Sequence, residues 1–216
     1  MTALILSLFT ASFSATLIYA EPYDSRQLAE SFLKESTEYP SQTLALDTPQ
    51  IKVSKRKHVL VMDAVILVSH ISNEKVFQAA SQLEHYPAIQ VPGVLEVKKL
   101  NPSYYWLHSA TMGIHSKNFV ELGVYPNLSN GTARGMIWIP TERQKDWTHE
   151  VSGELRNFTG SYFLKAMPGD QTYIRYAMTF ELSNLTPAWI AKLILEFKGK
   201  KLSTGYLNAI LNAAQL

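Results

Sequence analysis

Cysteine is absent from this 216-residue chain, and glycine and proline are sparse, with 10 of each. Without thiols the protein forms no disulfide, no thiolate metal site and no cysteine nucleophile. Its folded state must therefore depend on a hydrophobic core, for which a chain of this length is sufficient.

The chain also has almost no excess of either charge sign, because 20 Lys and Arg residues are balanced by 18 Asp and Glu residues, which gives a formal net charge of +2. So small a balance gives no indication of nucleic-acid binding, and no recognition motif supports it. H-E-x-x-H, G-x-S-x-G, the P-loop and G-x-G-x-x-G are all absent. The sequence thus predicts no catalytic residue, metal, cofactor or nucleic-acid partner. No two of the histidines have helical i, i+4 spacing; they are His58, His70, His85, His108, His115 and His149.

The first 20 residues contain no charged side chain and are mainly apolar or small hydroxyl residues. This composition is typical of a secretory signal that is cleaved after Ala20. A retained anchor is the alternative, because the apolar stretch approaches the length of a spanning helix. We expect an exported protein, periplasmic or secreted, and the lack of cysteine favours a periplasm. Residues 21–49 are then an N-terminal helix and linker, and residues 50–216 one domain.

The last third of the chain predicts two strands and a long helix. Residues 172–182 alternate between apolar and more polar side chains, so one face should be buried and the other wetter. The turn Pro168-Gly169-Asp170 joins this strand to another at 160–166. Thr186 and Pro187 begin the helix, whose apolar stripe weakens at a polar, glycine-containing break over 198–201. The stripe consists of Trp189, Ile190, Leu193, Ile194 and Phe197, and then Leu202, Tyr206, Leu207, Ile210 and Leu211.

Earlier segments predict a mixture of helices and strands. A helix over 23–36 is capped by Asp24 and turns Leu28, Phe32 and Leu33 to one side. Strands at 51–54 and 59–68 precede a helix that Ser72 caps and a helical turn over 84–89. Four more strands follow at 94–100, 104–112, 119–125 and 133–139. Together these segments indicate one α+β domain with a largely antiparallel sheet.

Three segments support a more specific assignment. They are "VILVSHISNEKVFQAASQLEHYPAIQ" at 65–90, "GSYFL" and "TYIRY" at 160–164 and 172–176, and "TPAW" at 186–189. The first looks like a strand followed by two short helices, the second like a final hairpin, and the third like the start of a closing helix. In this order they resemble the START-like, or SRPBCC, helix-grip superfamily, which includes START lipid-transfer, polyketide-cyclase-like and coenzyme-Q-binding proteins.

The resemblance implies a curved sheet wrapped around a long C-terminal helix, with two short helices after an early strand. It also implies an apolar cavity between sheet and helix, suited to a lipid-like molecule. The Arg-Asp pair that many START domains carry on a central strand is missing here, where the sequence is Phe119-Val120-Glu121. Close kinship with the eukaryotic lipid-transfer members is therefore not expected.

Candidate ligand contacts are aromatic and apolar residues of the strands and the closing helix. Ordinary core packing is the alternative interpretation for the aromatic residues, and a hydrogen-bonded structural role is the commoner one for a histidine on a strand. The predicted ligand-binding set is Trp106, His108, Trp138, Tyr176, Met178, Phe180, Trp189, Leu193 and Phe197.

Asp63 and Arg175 each interrupt or flank an apolar strand face. Inside a cavity they would be costly unless paired, and there they would orient a polar headgroup. Arg175 lies on the polar side of its strand, which favours a surface position, whereas Asp63 is undecided.

Three functions fit these features. The leading one is a monomeric, non-enzymatic carrier of a hydrophobic small molecule or lipid. Transient membrane contact would involve one of two basic clusters, for each of which a solvated charged face is the commoner explanation; they are Lys52, Lys55, Arg56 and Lys57, and Lys198, Lys200 and Lys201. A cyclase or aromatase acting on a polyketide-like substrate would need a titratable group with a shifted pKa in the cavity. A protein-interaction module with a vestigial pocket would instead expose a large apolar patch.

Overall fold

An eight-stranded antiparallel sheet forms the centre of the molecule, with strand order β1-β2-β8-β7-β6-β5-β4-β3. The computed structural model describes residues 24–37, 44–56, 59–111, 114–141, 159–180 and 195–216. The strands are β1 (Gln50–Arg56), β2 (Val59–Ser69), β3 (Val94–Lys99), β4 (Tyr104–Thr111), β5 (Ile114–Leu128), β6 (Ala133–Thr141), β7 (Thr159–Met167) and β8 (Gln171–Phe180). The helices are α1 (Ser25–Thr37), α2 (Asn73–Ser81) and α3 (Lys200–Gln215).

The local signals in the sequence act where they were expected. The Asp24 carboxylate accepts hydrogen bonds from the backbone N–H groups of Arg26 and Gln27, at 2.9 and 3.1 Å, and so caps α1. The Ser72 hydroxyl accepts from the N–H of Lys75 at 3.3 Å and caps α2. A short 3-10 turn, Leu83–His85, follows α2 in place of the predicted second helical turn. The α+β architecture with its antiparallel sheet is therefore confirmed.

Helices cover both faces of the sheet. On the inner face, side chains of β2, β4, β5, β6, β7 and β8 form one apolar cluster with α2 and α3. On the outer face, α1 packs over β6 and β7 and buries Leu28, Ala29, Phe32 and Leu33. Because each face carries apolar side chains, neither can stay in contact with water.

Arg175 lies on the outer face, as its position in β8 predicted, but it is not at the surface. Only 3% of the residue is exposed, because α1 covers it. Its guanidinium donates to both Asp63 oxygens, at 2.9 and 2.7 Å, and to the Ser36 hydroxyl at 3.0 Å. The Glu35 carboxylate of α1 lies 3.5 Å away. The expected wetter face of β8 is thus wrong. Asp63 holds Arg175 from the neighbouring strand β2, and Arg175 in turn binds α1, so the pair lies under the helix and does not face a ligand.

The polar break predicted at 198–201 coincides with a change of helix type. Residues Leu195–Gly199 form a π-helical turn, and α3 continues from Lys200. Five residues later, a Cβ on Gly205 would lie only 2.9 Å from Cγ of Pro92, so glycine allows α3 to approach the loop before β3. The predicted helix start at Thr186-Pro187 lies outside the described residues. No helix within the described ranges is both long and apolar enough to cross a membrane.

The buried ion pair predicts a large stability effect. Asp63→Asn keeps the shape of the side chain but leaves the Arg175 charge without its bidentate partner, so unfolding free energy should fall by roughly 3 kcal/mol. Glu121→Gln, which removes the more exposed Arg26–Glu121 pair, is the matched control and should cost less than about 1 kcal/mol. Urea unfolding of both variants measures this difference. Equal losses would show that the buried pair stabilises the fold no more than the exposed pair does.

Candidate functional site

A cavity of about 50 Å³ lies between the inner face of the sheet and α3. This volume suits a few water molecules rather than a lipid chain. One wall is the sheet, and the other is formed by α3 together with the segment between α2 and β3. The lining residues are Leu107, Ser109, Val120, Met136, Trp138 and Met178 from the sheet, and Leu83, Tyr86, Pro92, Gly93, Val94, Leu202 and Tyr206 opposite.

Trp138 forms part of the sheet wall because its neighbour is glycine. Gly160 of β7 is the cross-strand partner of Trp138 on β6. A Cβ at position 160 would lie 2.0 Å from Cζ2 of the indole, so the ring occupies the space that a side chain would need. The indole thereby reaches across β7 and stacks on Tyr176 of β8, with ring centroids 5.7 Å apart.

Tyrosines fill the interior beside the cavity. Tyr206 of α3 stacks on Tyr176 at 5.2 Å and meets Tyr86 edge-on at 5.7 Å. The Tyr86 hydroxyl donates to the Ala80 carbonyl at 2.5 Å. Burial raises the pKa of Tyr86, Tyr162, Tyr176 and Tyr206 above the ordinary value. These phenols therefore stay protonated at neutral pH and supply hydrogen bonds rather than bases.

Several predicted ligand contacts lie at or near this cavity. Trp138 and Met178 line it, and Tyr176 lies directly behind Tyr206 and Trp138. Their contact with a ligand stays a prediction. The predictions for the Phe180 side chain, Trp189 and Leu193 fall outside the described part of the chain.

Trp106 and His108 were predicted to face the cavity, and they do not. Both lie on the outer face of β4, where Lys98 sits 4.9 Å from the Trp106 ring centroid and the His108 ring is 6.2 Å from that of Trp106. The alternation was correct but the face was wrong, because β4 carries large side chains on both sides. The residues that turn inward from β4 are Tyr105, Leu107 and Ser109.

Phe197 was also predicted to face the cavity, and this position is wrong, because 80% of the residue is exposed. The prediction extended one α-helical stripe through this position. The π-helical turn Leu195–Gly199 inserts a wider turn there, which changes the angular phase of the residues on either side of it. Leu202 and Tyr206, in the resumed part of the predicted stripe, line the cavity instead.

Other lining residues had weaker signals. Ser109, Val120 and Met136 belong to strands that were predicted, but strand alternation did not show which side faces inward. Pro92 and Gly93 were recognised only as a helix stop. Within the described ranges, no three His, Asp or Glu side chains are grouped closely enough to hold a metal ion.

Comparison with known proteins gives the fold. No protein-family model and no curated protein sequence matches the chain. Among solved structures, a STAR-related lipid transfer protein from Xanthomonas axonopodis is similar at 13% identity and a TM-score of 0.54, covering 77% of this chain and 99% of that one. Human StAR-related lipid transfer protein 5 has 10% identity and a TM-score of 0.54, with 88% and 96% covered. This chain has the START-like helix-grip fold.

An enzyme shares this fold. The Zhui aromatase/cyclase from Streptomyces is similar at 14% identity and a TM-score of 0.51, covering 73% of this chain and 94% of that one. Identities this low establish the fold and leave function to the residues of the cavity. The fold predicted from the sequence is confirmed.

The contact of Trp138 with Gly160 predicts a specific coupling. Gly160→Ala should lower the unfolding free energy by about 2 kcal/mol, because the new methyl group displaces the indole. The cost should fall by about 1 kcal/mol or more when Trp138→Leu is also present. Gly123→Ala on β5 is the control, since its Cβ would meet Ile137 at 3.0 Å and needs only a small shift. Chemical denaturation of Gly160→Ala, Trp138→Leu, their double variant and the control measures these losses of stability. If the two single losses simply add in the double variant, the coupling is wrong.

Proposed function

We propose that this protein binds a hydrophobic, lipid-like small molecule in the cavity between the sheet and α3, and carries it without chemical change. The observation that supports this most is the lining, which is apolar except for Ser109 and the Tyr86 and Tyr206 phenols. Ligand pockets typically combine such apolar walls with a few polar groups that fix orientation. The lipid-transfer names of two similar structures agree with this proposal.

The volume of the cavity requires that it expand on binding. At about 50 Å³ the space is smaller than a lipid, so its walls have to separate on binding, and α3 meets the opposite wall at Pro92. The π-helical turn at Leu195–Gly199 precedes α3 and provides an irregular segment at which the helix can shift. The described structure then corresponds to the closed form.

The cyclase alternative has less support from the lining. Proton transfer needs a group whose pKa lies near the working pH. The lining residues described here include no Asp, Glu or His, and burial raises the pKa of Tyr86 and Tyr206. These tyrosines stay protonated, so they orient a ligand but do not abstract a proton from it.

The interaction-module alternative also has less support. The exposed large apolar residues of the described chain lie on separate segments rather than on one element. They are Leu46, Leu95, Val124, Phe197 and Leu216.

Export completes the proposal. The uncharged apolar N-terminus supports cleavage after Ala20 and action in a periplasm or outside the cell. N-terminal sequencing of the protein recovered from periplasmic, secreted and cytoplasmic fractions tests this location. Glu21 as the first residue in an exported fraction supports it, and an intact Met1 in the cytoplasm contradicts it.

Ligand binding should depend on the cavity volume. Val120→Phe fills the cavity from β5 and should abolish saturable binding of 1-aminoanthracene, a neutral fluorescent probe of apolar sites, at a stability cost of about 1–3 kcal/mol. Val124→Phe makes the same change at a half-exposed position of the same strand and should bind like the wild type. Fluorescence titration measures both.

A second variant separates loss of binding from loss of folding. Leu202→Trp enlarges a partly exposed lining residue of α3, where the added volume is better tolerated than in the core. It should also block the probe while its circular dichroism stays native. Absence of saturable binding to the wild type, or undiminished binding to both filled variants, would contradict the proposed function.

Membrane contact should depend on Phe197. This exposed ring is followed in the sequence by three exposed lysines, Lys198, Lys200 and Lys201. Leu202 of the cavity comes directly after the last of them. An apolar tip among cations suits an anionic lipid surface. Phe197→Ala should weaken cosedimentation with phosphatidylglycerol vesicles roughly tenfold, because burial of the ring is lost.

Leu95→Ala is the matched control, since it removes an exposed apolar side chain from β3 at the edge of the sheet. It should leave vesicle binding unchanged. Equal losses in the two variants, or no binding by the wild type, would exclude Phe197 as the membrane contact.

A further inference from the structure

A buried polar patch lies on the inner face of the β4–β5 hairpin. Ser109 lines the cavity, and Ser116 is its cross-strand partner. Asn118 is the partner of Leu107, which also lines the cavity, and it shares its face of β5 with Val120. All three polar residues are buried, and only 7% of Asn118 is exposed. The patch therefore continues the apolar wall of the cavity with amide and hydroxyl groups.

The hydrogen-bonding groups of this patch are incompletely used. The Ser109 and Ser116 hydroxyl oxygens lie 2.9 Å apart, so one of their two protons forms the bond between them and the other remains to donate elsewhere. The Nδ2 of Asn118 is buried and has no hydrogen-bond partner among the described residues. A buried donor without a partner is destabilising, and native proteins retain few of them. These donors are therefore available to a bound molecule.

The charge of the surroundings limits what that molecule can be. None of the lining residues described is charged, and the Arg175–Asp63 pair lies on the opposite face of the sheet. An ionised carboxylate or phosphate would enter the cavity without a counter-charge, which is strongly unfavourable. A neutral oxygen acceptor has no such cost.

We propose that Asn118, Ser109 and Ser116 form a subsite that hydrogen-bonds the carbonyl or hydroxyl oxygen of a neutral hydrophobic ligand. The inference rests on the proposed function, because it needs a molecule in the cavity. It adds a substrate class, since it selects oxygenated neutral compounds over hydrocarbons and over ionised lipids.

Three small probes of matched size test this subsite. Acetophenone and ethylbenzene differ by a carbonyl group, and benzoate adds a charge. In titrations of the full-length folded protein, acetophenone should bind at least as tightly as ethylbenzene, although its carbonyl loses water on burial. Benzoate should bind most weakly.

Asn118→Leu should shift the ratio of the two neutral affinities about tenfold towards ethylbenzene, the usual effect of one hydrogen bond on an equilibrium constant. The affinity for ethylbenzene itself should not fall. His115→Gln, at an exposed position on the opposite face of the same strand, is the control and should leave the ratio unchanged. Ser116→Ala gives an independent variant that should shift the ratio in the same direction even if the leucine variant fails to fold.

The outcomes separate this inference from the proposed function. If the wild type prefers ethylbenzene as strongly as Asn118→Leu does, the subsite is wrong and the hydrophobic cavity stands. Tighter binding of benzoate than of acetophenone would also overturn it. If none of the probes binds, the proposed function fails and the subsite fails with it.

Discussion

The whole structure depends on one constraint, that both faces of the sheet carry apolar side chains and both must be kept from water. α1 covers the outer face, where Arg175 is held by Asp63 and by the Ser36 hydroxyl of the helix. α2 and α3 cover the inner face. Because α3 is held over a sheet that presents bulky rings, a small space is left between them. The candidate site is thus a consequence of how the sheet is buried.

Aromatic side chains decide how much of that space remains. The Trp138 indole lies over Gly160 and stacks on Tyr176, which in turn meets Tyr206 of α3. Beside this stack a cavity of about 50 Å³ remains, and none of its described lining residues is charged. Such a lining suits the proposed recognition of neutral molecules through shape and a few hydrogen bonds, and among the described lining residues no group is poised for proton transfer. This lining supports the proposal that the protein carries its ligand without chemical change.

The sequence predicted the elements well because local periodicity and capping determine them. Asp24 and Ser72 cap the helices that they were expected to cap, and the strands from 94 to 139 are all present. Tertiary context decided the rest. The alternation of β4 separated Trp106 from Leu107 but not the inner face from the outer one. Nothing local showed that α1 would cover Arg175, or that a π-helical turn would turn Phe197 towards solvent. The role proposed for Asn118 could not be predicted locally either, because it depends on the burial of the β4–β5 hairpin and on which residues pair across it.

We propose that the cavity holds a neutral hydrophobic molecule. Organic extraction of the folded protein purified from its producing cells, followed by mass spectrometry, tests this claim most directly. We expect one neutral, oxygen-containing hydrophobic compound in near-stoichiometric amount, and its absence from an extract of Val120→Phe prepared in parallel. Recovery of no compound above the background of the filled variant, or of an ionised lipid alone, would contradict it.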